Sequence, residues 1–171
     1  MPTTNDRAAA KYSLTITTPT DREIVATRTF DAPRRLVWEC FTSSKHLPNW
    51  MLGPAGWTMP VCEIDLREGG GWRYVIREHD DIEVGFHGEY REISRPRRLV
   101  WTEMYEGVPN PGPDKYPVCT TTLEEVDGVT TLTTVVQHTS KEDRDAVLAT
   151  GMESGMQISY DRLEDLVREG A

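Results

Sequence analysis

The sequence predicts an α+β fold in which one curved antiparallel sheet wraps a long C-terminal helix. Three observations carry that prediction. The apolar period is two in six segments between residues 58 and 139. No helical crossover separates these segments, so neighbouring strands must pair through hairpins. One long amphipathic stretch follows them, and a sheet of this kind hides a face by curling around such a helix.

Residues 1–11 are polar and are expected to form a flexible tail, leaving 12–171 as a single domain. Strand-like segments at 13–17 and 23–30 flank the turn Pro19-Thr20-Asp21. Asp31-Ala32-Pro33 reads as a cap and a first-turn proline, opening a helix through Leu36, Val37, Trp38 and Phe41. A second short helical piece is expected at 44–51, limited by Pro48. Strands then run over 58–66, 71–78, 82–93, 99–106, 116–126 and 129–139, with turns at Gly69-Gly70, Asp80-Asp81, Pro96 and Asp127-Gly128. The Pro- and Gly-rich connection 107–115 is, by its length, the loop best suited to function. Ser140, with Asp143 three positions on, caps a helix expected to run unbroken to Arg168.

Composition excludes more than it assigns. A chain of 171 residues, 37% hydrophobic and 27% charged, has material for one core and no disordered signature. The net charge of -9 offers no basic surface to nucleic acid or to an anionic membrane, and no apolar run is long enough to span one. No signal peptide is visible. The odd, widely spaced Cys40, Cys62 and Cys119 read as reduced core thiols, which sets the cytoplasm as the expected compartment.

Asp127-Gly128 is a type I′ hairpin signal that sets register: Val126 faces Val129, Leu123 faces Leu132, Thr121 faces Thr134, and Cys119 faces Val136. Paired residues share a side, so Cys119, Thr121, Leu123, Leu132, Thr134, Val136 and His138 form an inner face. The same parity puts Trp72, Tyr74 and Ile76 inward, with Ile82, Val84, Phe86, Gly88 and Tyr90, and with Cys62, Ile64 and Leu66. It also places Leu99, Trp101, Glu103 and Tyr105 inward, so that Glu103 is a carboxylate on an otherwise aromatic face. The helix answers with the stripe Leu148, Met152, Met156, Tyr160, Leu163 and Val167. Gly151 and Gly155, one turn apart, each weaken a helix by roughly 1 kcal/mol against alanine. They point either to close approach of the sheet or to space left for something small.

Phe30-Asp31-Ala32-Pro33 with Val37-Trp38, Leu47-Pro48-Asn49-Trp50, Asp65-Leu66-Arg67-Glu68-Gly69-Gly70, Phe86-His87-Gly88-Glu89-Tyr90, and Gly151-Met152-Glu153-Ser154-Gly155-Met156 with Asp161-Arg162-Leu163 occur in that order. As a set, this resembles the bacterial proteins similar to the activator of the heat-shock-protein-90 ATPase, within the SRPBCC or START-like superfamily. The resemblance runs from about Ile24 to Val167. It implies a helix-grip fold of the START or Bet v type, with a cavity between sheet and helix. It implies no single activity, since that superfamily holds lipid and hormone carriers and polyketide cyclases. Many relatives carry tryptophan where this chain has Met156, so no relative's ligand transfers to it.

Sharper motifs fail. Gly69-Gly70-Gly71 lacks the dinucleotide fingerprint's third glycine and its following helix. His87-Gly88-Glu89 has no Pro-Cys-x-x-Cys partner, and His46, His79, His87 and His138 show no metal-ligand spacing. Ser154 sits within a helix and not on a nucleophile elbow. No cofactor, metal or nucleotide is expected. The first reading is a binding module for a small hydrophobic or aromatic molecule, lined by Trp72, Tyr74, Phe86, Tyr90, Trp101, Glu103, Tyr105, His138, Met152 and Met156. The second is a polyketide cyclase- or hydratase-like enzyme with Glu103 and His138 as candidate acid or base, and Tyr74, Tyr90 or Tyr105 orienting a substrate oxygen. Against it stand a rim position or arginine partner for Glu103 and a backbone-bonded strand-end position for His138. A chaperone partner ranks third, on the family name alone, and a homodimer is left open.

Overall fold

In the computed structural model, residues 13–79 and 82–171 are described. The expected tail at 1–11 and the turn at Asp80-Asp81 lie outside them. The chain runs β1 (Thr15–Thr17), β2 (Glu23–Phe30), α1 (Arg34–Thr42), a 3-10 turn (Leu47–Asn49), β3 (Trp57–Ile64), β4 (Gly71–Glu78) and β5 (Ile82–Ser94). It continues through β6 (Arg98–Thr102), β7 (Met104–Tyr105), a 3-10 turn (Pro113–Lys115), β8 (Val118–Val126), β9 (Val129–Gln137), α2 (Lys141–Ala149) and α3 (Met152–Arg168).

The nine strands form one antiparallel sheet in the order β1-β2-β9-β8-β6-β5-β4-β3, with β7 pairing β5. This is the helix-grip α+β architecture. Positive φ at Asp127 (52°) and Gly128 (76°) makes the type I′ turn, and the four expected β8–β9 pairs all form. Pairing of β2 with β9 brings the N-terminal strand beside the last one, a neighbour that hairpin logic alone does not supply. The face toward α3 holds Ala26, Phe30, Leu99, Leu123 and Leu132, all buried in one cluster with Tyr160, Leu163 and Val167.

Four local expectations are corrected. The expected single helix is two, because Thr150 ends α2 and Gly151, at φ 74°, turns the chain before α3. The strand expected at 99–106 breaks at Glu103 into β6 and β7. The helical piece at 44–51 shrinks to a 3-10 turn, its Trp50 indole donating to the Cys40 carbonyl at 2.9 Å. Pro33 itself occupies the cap position of α1, and no side chain caps that end. The Ser140 cap forms as expected, accepting from the Asp143 N–H at 3.0 Å.

The glycine pair in the helix answers no close contact. A Cβ on Gly155 would meet nothing within 4 Å, and the same holds at Gly151. Gly155→Ala, inside α3, is therefore expected to stabilise the protein by about 0.5–1 kcal/mol through helix propensity. Urea unfolding checks this, and a loss of stability would mean that the space beside Gly155 is not free.

Candidate functional site

The inner face divides into two halves. Beneath the C-terminal half of α3 its side chains are buried. Beneath the N-terminal half, Cys62, Tyr74, Ile76, Val84, Phe86, Met152, Gly155 and Met156 are only half-buried although they point inward. Gly53 closes the neighbouring loop onto α3 by donating its N–H to Ser159 Oγ at 2.9 Å. This half lies between β3–β5 and the start of α3, and Cys62, Tyr74, Phe86 and Met156 pack there against the edge of the core.

Register builds the polar centre of this half. Phe86 faces Tyr105 and Tyr90 faces Trp101, so the row between them sets Glu103 opposite Gly88, whose other neighbour is Trp72. The Trp72 ring stacks on Tyr74 at 4.4 Å between centroids, and its Nε1 lies 2.9 Å from where a Gly88 Cβ would sit. Burial raises the Glu103 carboxyl pKa, and the nearby Trp101 indole N–H opposes that rise without completing a hydrogen bond of ordinary geometry. Glu103 in turn pushes up the Tyr74 phenol, the Cys119 thiol and the Tyr160 phenol, each already raised chiefly by burial, Tyr160 to about 12. Trp72 and Trp101 are 3% and 7% exposed, yet both indole N–H groups lack a partner among the described residues.

The raised Glu103 carboxyl has a measurable consequence. Its ionised form is disfavoured in the folded state, so the unfolded chain releases its proton first as pH rises. Stability therefore falls as pH climbs from the ordinary carboxyl value of 4.5 through the raised folded value. Glu103→Gln is expected to be more stable than the parent above that window and equal to it in acid. Urea unfolding across the pH range reads the difference, and a variant less stable than the parent as pH rises would mean an unseen partner for the carboxylate.

His138 is buried, 4% exposed, with its backbone N–H donating to the Arg22 carbonyl at 2.8 Å and its ring Nε2 without a hydrogen-bond partner among the described residues. Burial lowers its pKa; Asp143 opposes that shift and Arg144 adds to it, both in α2. Glu103 and His138 share one row of the sheet with Pro117 between them, two strand spacings or about 10 Å apart. They do not act as a contact pair. Tyr105 is 43% exposed, its ring against Phe86 at 5.5 Å, so it sits at the rim of that half and not within it. Phe86 and Tyr90 keep their inward places. The three thiols are free, and burial raises all of them, Cys40 to about 11, which leaves them poor nucleophiles.

A second polar arrangement, on the outer face, has no counterpart in the sequence reading. Arg73 Nε and Nη2 donate to Glu106 at 2.9 and 3.0 Å, and His87 Nδ1 lies 3.0 Å from the same carboxylate. The Tyr116 hydroxyl stands 3.4 Å from His87 Nε2 and accepts from Asn110 Nδ2 at 2.8 Å. This network pins the 107–115 connection to the sheet. Beside it lie two shallow depressions of about 560 and 180 Å³, the larger lined by Glu63, Arg73 and His87 and also by Ile64, Trp72 and Gly88 of the adjoining row. No group of His, Cys, Asp and Glu able to hold a metal ion occurs among the described residues, and no helix there is long and apolar enough to cross a membrane.

Comparison with known proteins gives a consistent result. A family model described as Activator of Hsp90 ATPase homolog 1-like protein matches residues 31–168. A crystal structure of a Rhodobacter sphaeroides protein is 28% identical, covering 91% of this chain and 98% of its own, at a TM-score of 0.82. A Mycobacterium smegmatis protein is 24% identical over 90% of this chain and 96% of its own, at 0.76. An AHSA1-like protein from Aeromonas hydrophila is 14% identical over 83% and 93%, at 0.63. The last two bear on the fold alone. No curated protein matches the chain.

Proposed function

The chain belongs to the Activator of Hsp90 ATPase homolog 1-like family, and from that premise we propose that it binds a small hydrophobic or aromatic molecule in the cleft between β3–β5 and the first half of α3. One observation carries this reading. The aromatic and apolar side chains at inward parity there, Tyr74, Phe86, Met152 and Met156, stay only half-buried beside the buried carboxyl of Glu103. A folded chain of this size ordinarily closes its apolar face with its own side chains, as the other half of this sheet does.

Glu103 also favours a second reading, proton transfer to or from the bound molecule. A carboxyl whose pKa is raised by burial holds its proton to higher pH than an exposed one, as an acid or base in proton transfer needs. A chaperone role draws support from the family description only.

Native mass spectrometry of freshly purified protein is expected to show a noncovalent apolar adduct. Bound material should also slow alkylation of Cys62, the half-buried thiol opposite Tyr74 on the inner face. Protein that is free of adducts, and whose Cys62 reacts at one rate with and without a millimolar aromatic probe, contradicts the reading.

A further inference from the structure

We propose that the connection 107–115 is a strap clasped to the outer face by His87, and that uptake of a proton by His87 releases its C-terminal end.

Hydrogen-bond directions lead there. His87 reaches both ends of the strap with one ring: Nδ1 lies 3.0 Å from Glu106, just before it, and Nε2 lies 3.4 Å from the Tyr116 hydroxyl, just after it. Partners at the two ends of this chain of bonds fix its direction. The Gly112 N–H can only donate and takes Asn110 Oδ1 at 2.9 Å, so Asn110 turns its Nδ2 to Tyr116, at 2.8 Å. The Tyr116 oxygen thereby accepts, and its own proton is free for His87 Nε2. Glu106, a carboxylate held twice by Arg73, can only accept, so Nδ1 carries the ring proton. The neutral Nδ1–H tautomer satisfies every group in the chain.

A second proton on the ring breaks that arrangement. Nε2 becomes a donor facing a hydroxyl whose own proton then loses its acceptor, unless Asn110 turns over and abandons the Gly112 N–H. Glu106 keeps its hold, because the Arg73 hydrogen bonds keep its carboxyl below the usual range and ionised in mild acid. The other charges around the ring are Arg73 in its row, Glu63 beyond Arg73, Glu89 along β5, and Asp65 across the larger depression, itself paired with Arg67 at 2.8 Å. None of them bonds Tyr116 among the described residues. Little else retains the strap: from 105 to 115 every residue but Gly112 is exposed, whereas Tyr116 is 9% exposed. Its release also uncovers a face on which Val75 and Met104, at outward parity, are buried apart from the main core.

NMR of the full chain, with nitrogen labelling of the histidine rings and amide exchange corrected for its intrinsic pH dependence, tests this. At about pH 8 the His87 ring is expected as the Nδ1–H tautomer. Between about pH 8 and pH 5, exchange at Gly112 and Tyr116 should quicken at least about fivefold relative to Leu132, the worth of one net hydrogen bond. Tyr116→Phe should exchange fast at both pH values, with no response to acid left. An Nε2–H tautomer overturns the proposal, as does strap exchange that ignores pH. An acid response that survives in Tyr116→Phe overturns the assignment to the His87–Tyr116 bond. Tautomer and exchange in the unaltered protein decide the matter even where the variant fails to fold.

Discussion

Gly88→Ala is expected to destabilise the protein by about 3 kcal/mol or more, the largest effect of any alanine substitution considered. A Cβ there would stand 1.8 Å from the Thr102 carbonyl oxygen, 2.7 Å from its carbon and 2.9 Å from Trp72 Nε1. The first two are backbone atoms of the neighbouring strand and cannot rotate away. The contact falls where β6 ends and Glu103 separates it from β7, so relief requires β5 to move off its partners. Gly71→Ala is the control: its Cβ would meet only the Gly88 carbonyl at 3.8 Å, an ordinary contact. It should change stability by less than about 1 kcal/mol. Chemical denaturation of the two variants checks both values, and equal effects would contradict the contact argument.

Asp161→Ala is expected to cost about 3 kcal/mol, at the low end for a broken buried pair. Arg28 points inward from β2, its side chain 1% exposed, with Nη1 2.8 Å from Asp161 Oδ1 and its guanidinium 5.7 Å over the Phe30 ring. Removing the carboxylate leaves that cation uncompensated among apolar groups. Asp161 also accepts from Gln157 Nε2 at 2.8 Å, and Gln157 Oε1 accepts the Leu14 N–H at 2.7 Å, so the same change loosens the approach to β1. Because Asp161 itself is 55% exposed, water reaches one side of the pair and moderates the loss. Adding Arg28→Met should recover most of the stability, since the apolar chain then needs no partner. A double variant as unstable as the single one would show that Arg28 is not the origin of the cost.

Parity made the inner face legible before any coordinates. Asp127-Gly128 sets one register, and each later pairing, Trp101 with Cys119 or Tyr74 with Phe86, keeps the face that alternation assigns. Glu103 stands out for the same reason, a carboxylate at an apolar parity. The break before α3 escaped because Leu148, Met152 and Met156 keep helical spacing straight across it. The Thr150-Gly151 end signal was present, but periodicity outweighed it. Arg28 also lies at an inward parity, on a strand whose partner, β9, is distant in sequence, so its burial and its partner Asp161 follow only from the three-dimensional arrangement. The Arg73–Glu106–His87–Tyr116 network draws on four separate segments, and no local spacing announces it. His138 shows the limit of parity, which gives a side but not a neighbour.

Occupancy of the cleft is tested most directly by following the tryptophan indole N–H signals in NMR spectra while an acetylnaphthalene is titrated in. The signal of Trp101, which does not line the outer depression, is expected to move and saturate, while that of Trp50, already bonded to the Cys40 carbonyl, stays in place. A still Trp101 indole, with movement confined to Trp72 and the amides of Gly71, Arg73 and His87 around the outer depression, would contradict a ligand site on the inner face.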